Sequence, residues 1–261
     1  MQRQQLLLPY PQFTSVTRTG FPNGRAWYNS LQVQVQKRLT HGFHLLVDYT
    51  YSETMQAVSY LNPQFGDNQL ESVRASEDLP HRLSIVGGYQ IPLFHNSRRL
   101  VKTAFGGWQV QLIALFQSGR QLAGVDAYPT GANQFVDGPY NPNGYYFNAC
   151  TVNTNGVRQN CASATQAVAW IQRPAGTLRV DGTQWSQRRE MRPGVMDSSI
   201  FKSFPLHERL TFQLRMEAFN TFNTPWFGLA NTSLGNARFG LMGNTQGNDP
   251  RNVQIAGKLN W

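Results

Sequence analysis

Hydrophobic and polar positions alternate with a period of two along much of this chain. The last ten residues show it most cleanly: Val253, Ile255, Gly257, Leu259 and Trp261 alternate with Gln254, Ala256, Lys258 and Asn260. Such alternation is what a strand with one apolar and one wet face requires. In Trp108–Phe116, Trp108, Val110, Leu112, Ala114 and Phe116 share an uncharged face opposite Gln109 and Gln111, with Ile113 and Leu115 interrupting the polar side. Phe43, Leu45, Val47, Tyr49 and Tyr51 oppose His44, Asp48, Thr50 and Ser52, while Leu31, Val33 and Val35 oppose Gln32, Gln34 and Gln36. Leu83, Ile85, Gly87, Tyr89 and Ile91 oppose Arg82, Ser84 and Gln90. Leu210, Phe212, Leu214, Met216 and Ala218 oppose Thr211, Gln213, Arg215 and Glu217. A seventh strand is expected over Val195–Ser203, where neither face is cleanly apolar.

The links between these strands alternate in length. Those at Lys37–Gly42 and Phe204–Arg209 are short and Pro92–Gly107 is intermediate, whereas 53–80, 120–193 and 223–251 are long and rich in Gly, Asn and Pro. Short turns at one end and long loops at the other are the habit of outer-membrane β-barrels. The final strand is similar to their C-terminal signature, an alternating apolar strand ending on an aromatic that the barrel-assembly machinery reads. With Trp261 at the periplasmic side, all three long links fall outside. Phe43, Tyr89 and Trp108 then lie near the periplasmic rim and Tyr49, Tyr51 and Phe116 near the outer rim, as two aromatic girdles. The expected fold is all-β, an antiparallel up-and-down transmembrane β-barrel segment of about seven strands covering residues 1–261.

Composition limits the alternatives. The mean hydropathy is -0.43, and the apolar run Leu112–Phe116 is far shorter than the roughly 20 residues of a membrane helix. Lys and Arg total 23 against 14 Asp and Glu, a net charge of +9. The cations are scattered through turns and loops (Lys37, Arg38, Arg98, Arg99, Lys102, Arg188, Arg189) without a basic helix or an aromatic RNA-binding motif, so nucleic acid is not expected. Solvated loop charge, lipopolysaccharide phosphates and lipid headgroups all suit them. Leu6–Leu8 before Pro9 is too short for the apolar core of a secretion signal. Seven strands also cannot close a barrel in which even numbers of eight or more are the rule. The chain is therefore expected to be the C-terminal piece of something larger.

Segments in a fixed order carry a family resemblance: LLLPYPQFTSV (6–16), WYNSLQVQVQKRLTHGFHLLVDYTYS (27–52), GGWQVQLIALFQSGRQL (106–122), RMEAFNTFNTPWFG (215–228) and PRNVQIAGKLNW (250–261). They resemble the barrel of TonB-dependent outer-membrane receptors, most nearly the Oar-like group that carries an N-terminal carboxypeptidase-regulatory-like domain. Membership implies a 22-stranded barrel with a luminal plug and a TonB box, and uptake of a large solute driven through the TonB complex. Neither plug nor TonB box is recognisable in these residues.

Candidate chemistry is sparse. Cys150 and Cys161 are the only cysteines, and an even pair in an oxidising compartment reads as a disulfide closing a small loop. The five histidines show no ligand spacing, so neither metal nor other cofactor is expected. Asp48, Arg82, Arg215 and Glu217 fall on the wet faces of strands and are expected to line the lumen. Asp126, Asp137, Glu71 and Glu77 look isolated in loops, and no enzyme constellation emerges. Tyr128, Phe135, Tyr140, Tyr145, Tyr146, Phe147, Trp170 and Trp185 crowd the longest loop. They suit either capture of carbohydrate or peptide or the packing of a compact lid. A soluble β-sandwich module for glycans remains an alternative, as does a small porin closing itself with an eighth strand from Tyr10–Thr19.

Overall fold

A computed structural model describes residues 10–13, 22–94, 98–136, 144–207, 209–243 and 245–261. Seven antiparallel strands lie side by side in chain order: β1 (Arg25–Thr40), β2 (Phe43–Ala57), β3 (His81–Gln90), β4 (Gln109–Gln117), β5 (Val195–His207), β6 (Leu210–Phe219) and β7 (Asn252–Asn260). Each strand pairs with the next, as an up-and-down meander requires, and a two-residue strand, Val73–Arg74, adds to β2. Among the described residues the sheet is a single layer with two outer edges, β1 and β7. A sandwich needs two sheets face to face, and this wall has none packed on it among the described residues.

The register carries the sequence alternation across the whole wall. Val33 opposes Tyr49, Tyr49 opposes Leu83, Leu83 opposes Phe116, and at the other side Phe212 opposes Leu259 and Met216 opposes Ile255. Directly opposed residues share a face, so the apolar stripes of six strands align across the wall, with Met196, Ile200 and Phe204 of β5 between them beside Ser198 and Lys202. A register slip of one residue would break this alignment. The β1–β2 link is a two-residue turn, His41 and Gly42, with φ of 51° and 76°. Positive φ at both positions matches the right-handed twist of the hairpin. At the β4–β5 pair, a Cβ on Gly194 would lie 2.1 Å from the Phe116 ring, so only glycine lets that ring lie flat across the strand.

Several boundaries differ from the sequence expectation. β2 continues to Ala57, so the first long link starts at residue 58 rather than 53, and the other two occupy 118–194 and 220–251. β5 runs to His207 through Pro205, with a register shift between those two residues, so the short link after it is tighter than Phe204–Arg209. The β3–β4 link contains a helix, α1 (Arg99–Phe105), which the wall pattern does not announce. Tyr10–Phe13 forms a turn closed by Phe13 N–H donating to the Tyr10 carbonyl. The rest of the Tyr10–Thr19 candidate strand lies outside the described residues.

The long links are not irregular. Residues 118–194 and 220–251 share a hydrophobic core of Leu122, Val125, Phe147, Trp170, Trp185, Phe239 and Met242. Around it lie a four-stranded sheet of Ala127–Pro129, Trp170–Gln172, Thr151–Val152 and Arg158–Gln159, and a ribbon pairing Gln121–Ala123 with Gln184–Arg189. This cap stands on the loop end of the wall.

Candidate functional site

The polar face of the wall carries two separate hydrogen-bonded groups. The Arg215 guanidinium pairs with Glu217 at 3.3 Å, donates to Gln111 Oε1 at 3.2 Å across β5, and lies 4.9 Å from the Phe201 ring centre. Gln254 donates to Glu217 Oε2 at 2.5 Å, joining β7 to the same group. At the far side Gln34 donates to Asp48 Oδ1 at 2.6 Å. Arg215 and Glu217 thus come together, Asp48 holds a separate contact, and Arg82 stands near the loop end, opposite Thr50 and Gln117, without an ion pair among the described residues. Phe201 is the residue that sequence inspection did not place here: it is buried, with the Arg215 guanidinium over its ring.

The opposite face is apolar and uncovered. Leu31, Val33, Val35, Val253, Ile255 and Leu259 are all exposed, Ile255 to 73%. In water this surface would cost about 25 cal/mol per Å² of apolar area, and so large an exposed patch marks a membrane or partner surface. Its aromatics sit at two levels. Phe43 and Tyr89 meet edge to face at 6.4 Å near the turn end, with Trp108 at the same end. Tyr49, Tyr51 and Phe116 lie toward the loop end, where the Tyr49 hydroxyl is 2.9 Å from His81 Nδ1.

A model of the outer membrane beta barrel domain matches residues 1–254. The chain belongs to this family. The protein is thus an outer-membrane β-barrel protein. No curated protein and no solved structure matches the chain.

At the loop end of the barrel wall, buried charge fastens the cap. Asp78 and Glu190 have side chains at 0% exposure. Asp78 accepts from the Thr54 amide at 2.7 Å and pairs with Arg189 at 2.6 Å and Arg74 at 3.4 Å. Arg189 also donates to the carbonyls of Asp78 and Gly119. Glu190 receives Arg120 at 3.3 Å and Arg192 at 3.6 Å. A Cβ on Gly119 would fall 1.8 Å from the Glu190 carbonyl oxygen, so the two chain segments touch backbone to backbone beside this carboxylate. Removing one partner of such a buried pair leaves an uncompensated charge, which costs far more than an exposed bridge is worth.

The first long link holds the second by side chains that grip its backbone. Asn62 exchanges two hydrogen bonds with the backbone of Arg179, at 3.0 and 2.6 Å. Glu71 accepts from the Thr183 amide and hydroxyl at 2.9 and 2.6 Å. Glu71 is therefore not an isolated carboxylate, and neither is Asp126, which receives Arg173 in a two-pronged bond at 2.9 Å. That bond holds the Asp126 carboxyl below its usual range, whereas burial raises Asp181 above it. Glu77 reaches Arg120 only at 4.0 Å, and Asp137 lies outside the described residues. None of this was visible in the sequence, because Arg189 and Asp78 are 111 positions apart.

Within the cap, Cys150 and Cys161 are joined, with Cys150 wholly buried. Trp170 and Trp185 meet edge to face at 5.4 Å, Phe147 packs on Trp185 at 5.0 Å and on Phe239 at 5.2 Å. Trp170 Nε1 donates to the Asn148 carbonyl at 2.7 Å. These rings pack the lid instead of standing open for a ligand. Arg188 stacks between Phe135 and Tyr146, 4.7 and 5.0 Å from their ring centres. Tyr140 lies outside the described residues. No cluster of three or more metal-ligating side chains occurs among the described residues.

Proposed function

We propose that this chain is the C-terminal wall segment and outer cap of a larger TonB-dependent outer-membrane receptor that takes up a large solute. The observation that supports this reading is the open wall: among the described residues, seven strands form one sheet in which β1 and β7 each have a partner on one side only. In hydrocarbon an unpaired strand edge leaves backbone groups without partners, at several kcal/mol each. Preceding strands of the parent would pair with β1, and β7 would meet the first strand of the closed barrel. The polar face, with Asp48 and Arg215 on it, would then face the plug. The cap would face outside and shape what enters. TonB acting on the plug would open the path, and nothing in the reading needs a catalytic group or a cofactor.

The same reading assigns the partners. Lipid and lipopolysaccharide surround the apolar face, and the barrel-assembly machinery recognises Val253, Ile255, Gly257 and Leu259 on β7 with Trp261 just after it. The TonB complex acts through the parent. Outer membranes of the source cell, blotted with an antibody against the 127–187 loop, test the proposal. A band several times larger than 29.5 kDa is expected. A band at 29.5 kDa in that membrane would contradict the larger receptor and favour a small self-closing porin or an oligomer.

A further inference from the structure

The turn end of the wall carries a cavity of about 1060 Å³ between the β1–β2 turn, the β3–β4 link and the end of β5. Ile91, Leu93, Leu100 and Leu206 supply apolar lining, and Lys102 and Lys202 supply charge. Lys202 is the anomaly. It opposes Leu214, and so stands on the lipid face in a row that is otherwise apolar. Yet it is only 4% exposed. Its ammonium donates to the Thr103 carbonyl of α1 at 2.5 Å and lies 4.8 and 5.9 Å from the Phe204 and Trp108 rings. It forms no ion pair among the described residues. An ammonium has three N–H donors, so two remain for an acceptor beyond Thr103.

The surroundings specify the acceptor. α1 and its flanks leave Leu93, Phe94, Leu100 and Phe105 exposed, Leu100 to 84%, and Leu206 at the end of β5 is exposed beside them. Short segments of this kind, apolar with cations beside them, lie in the plane where acyl chains meet headgroups. A lysine on a lipid-facing row reaches toward that plane with its charged tip, and Trp108 marks the same depth.

We infer that this cavity binds one phospholipid of the adjoining leaflet, its phosphate on Lys102 and Lys202 and an acyl chain along Leu93, Leu100 and Leu206. The inference rests on the membrane-spanning wall and is independent of whether the chain belongs to a larger receptor. The lipid would seal the gap between wall and α1 and supply a negative charge that none of the described residues lining the cavity carries.

Native mass spectrometry of the protein isolated from outer membranes, with dioleoyl-phosphatidylglycerol added in steps, tests this directly. One lipid per protein is expected to be retained. Lys102→Gln and Lys202→Gln are each expected to weaken retention about fivefold, the effect of roughly 1 kcal/mol per cation at an anionic headgroup. Leu100→Asp is expected to weaken it as well, whereas Lys258→Gln, on the luminal face, leaves it unchanged. Lys102 and Leu100 are exposed, so those two variants keep the question open should Lys202→Gln fail to fold, as judged by heat-dependent gel migration. Unchanged retention in Lys102→Gln and Leu100→Asp overturns the inference. So does equal retention of dioleoylglycerol, which lacks the phosphate, or a photo-crosslinker at position 100 that captures protein in place of lipid.

Discussion

The wall and the cap spend the same residue types in opposite ways. In the wall, Leu31, Val35, Ile255 and Leu259 point outward and are exposed, while Arg215, Glu217 and Gln254 face one another inside. In the cap, Phe147, Trp170, Leu122 and Met242 are inside and nearly inaccessible. The two solvents explain the inversion. Around the wall, hydrocarbon rewards apolar side chains and punishes unpaired backbone, so stability comes from a regular ladder whose apolar face looks outward. Around the cap there is water, and stability comes from an interior of packed rings. The chain passes from one regime to the other within a few residues, at Asp78, Gly119 and Glu190, where buried ion pairs replace both kinds of apolar contact.

Substitutions that treat one region as if it were the other should therefore give opposite results. Trp170→Ala in the cap removes a ring that is 2% exposed and should cost about 3–5 kcal/mol. Urea titration followed by the remaining cap tryptophans should show it, with heat-dependent gel migration of the wall unchanged. Next, Leu112→Arg on the lipid face should destabilise the wall by about 2–4 kcal/mol in vesicles. The same change at Ile171, exposed on the cap, should stay within about 0.5 kcal/mol. Equal effects at the two positions would erase the distinction between the regions.

Much of the wall was legible from sequence because strand periodicity is local. The alternation in 43–52, 210–218 and 252–261 separated an apolar from a polar set of positions, and the register joins each set across neighbouring strands. Phe201, Lys202 and Pro205 blurred β5, since its ends serve other purposes: Phe201 lies under Arg215 and Lys202 reaches α1. The cap was illegible beyond its aromatic content. Its core and its clamp are built from pairs far apart in the chain, such as Asn62 with Arg179, 117 positions away, and no short window records them. The proximity of Cys150 to Cys161 was the exception, because eleven positions is a local spacing.

Smaller effects sharpen the picture of the cap. Cys161→Ser should lower cap stability by about 2–4 kcal/mol through the released loop while the wall migrates normally in gels. The acid response should be weaker still. Asp126 titrates below its usual 3.8 because Arg173 binds it. Its contribution is present above that value and is lost as pH falls through the lower folded value. Asp181 titrates above 3.8 because of burial, so its cost is felt at neutral pH and fades as pH falls through the raised value. Asp126→Asn should therefore remove part of the acid loss, and Asp181→Asn should stabilise the cap at pH 7. Each change should be under about 1 kcal/mol, because water screens both sites. Cap unfolding measured against pH in the two variants checks the signs.

The most direct test of the inverted wall is a residue-by-residue reading of its lipid contact. Single cysteines at positions 213–217 on β6 and 253–257 on β7, each carrying a small fluorophore, can be quenched by brominated lipid in vesicles. Strong quenching is expected at 214, 216, 253, 255 and 257, and little at 213, 215, 217, 254 and 256. Quenching that ignores this period of two, or that is absent throughout, would contradict a wall whose apolar face meets the membrane.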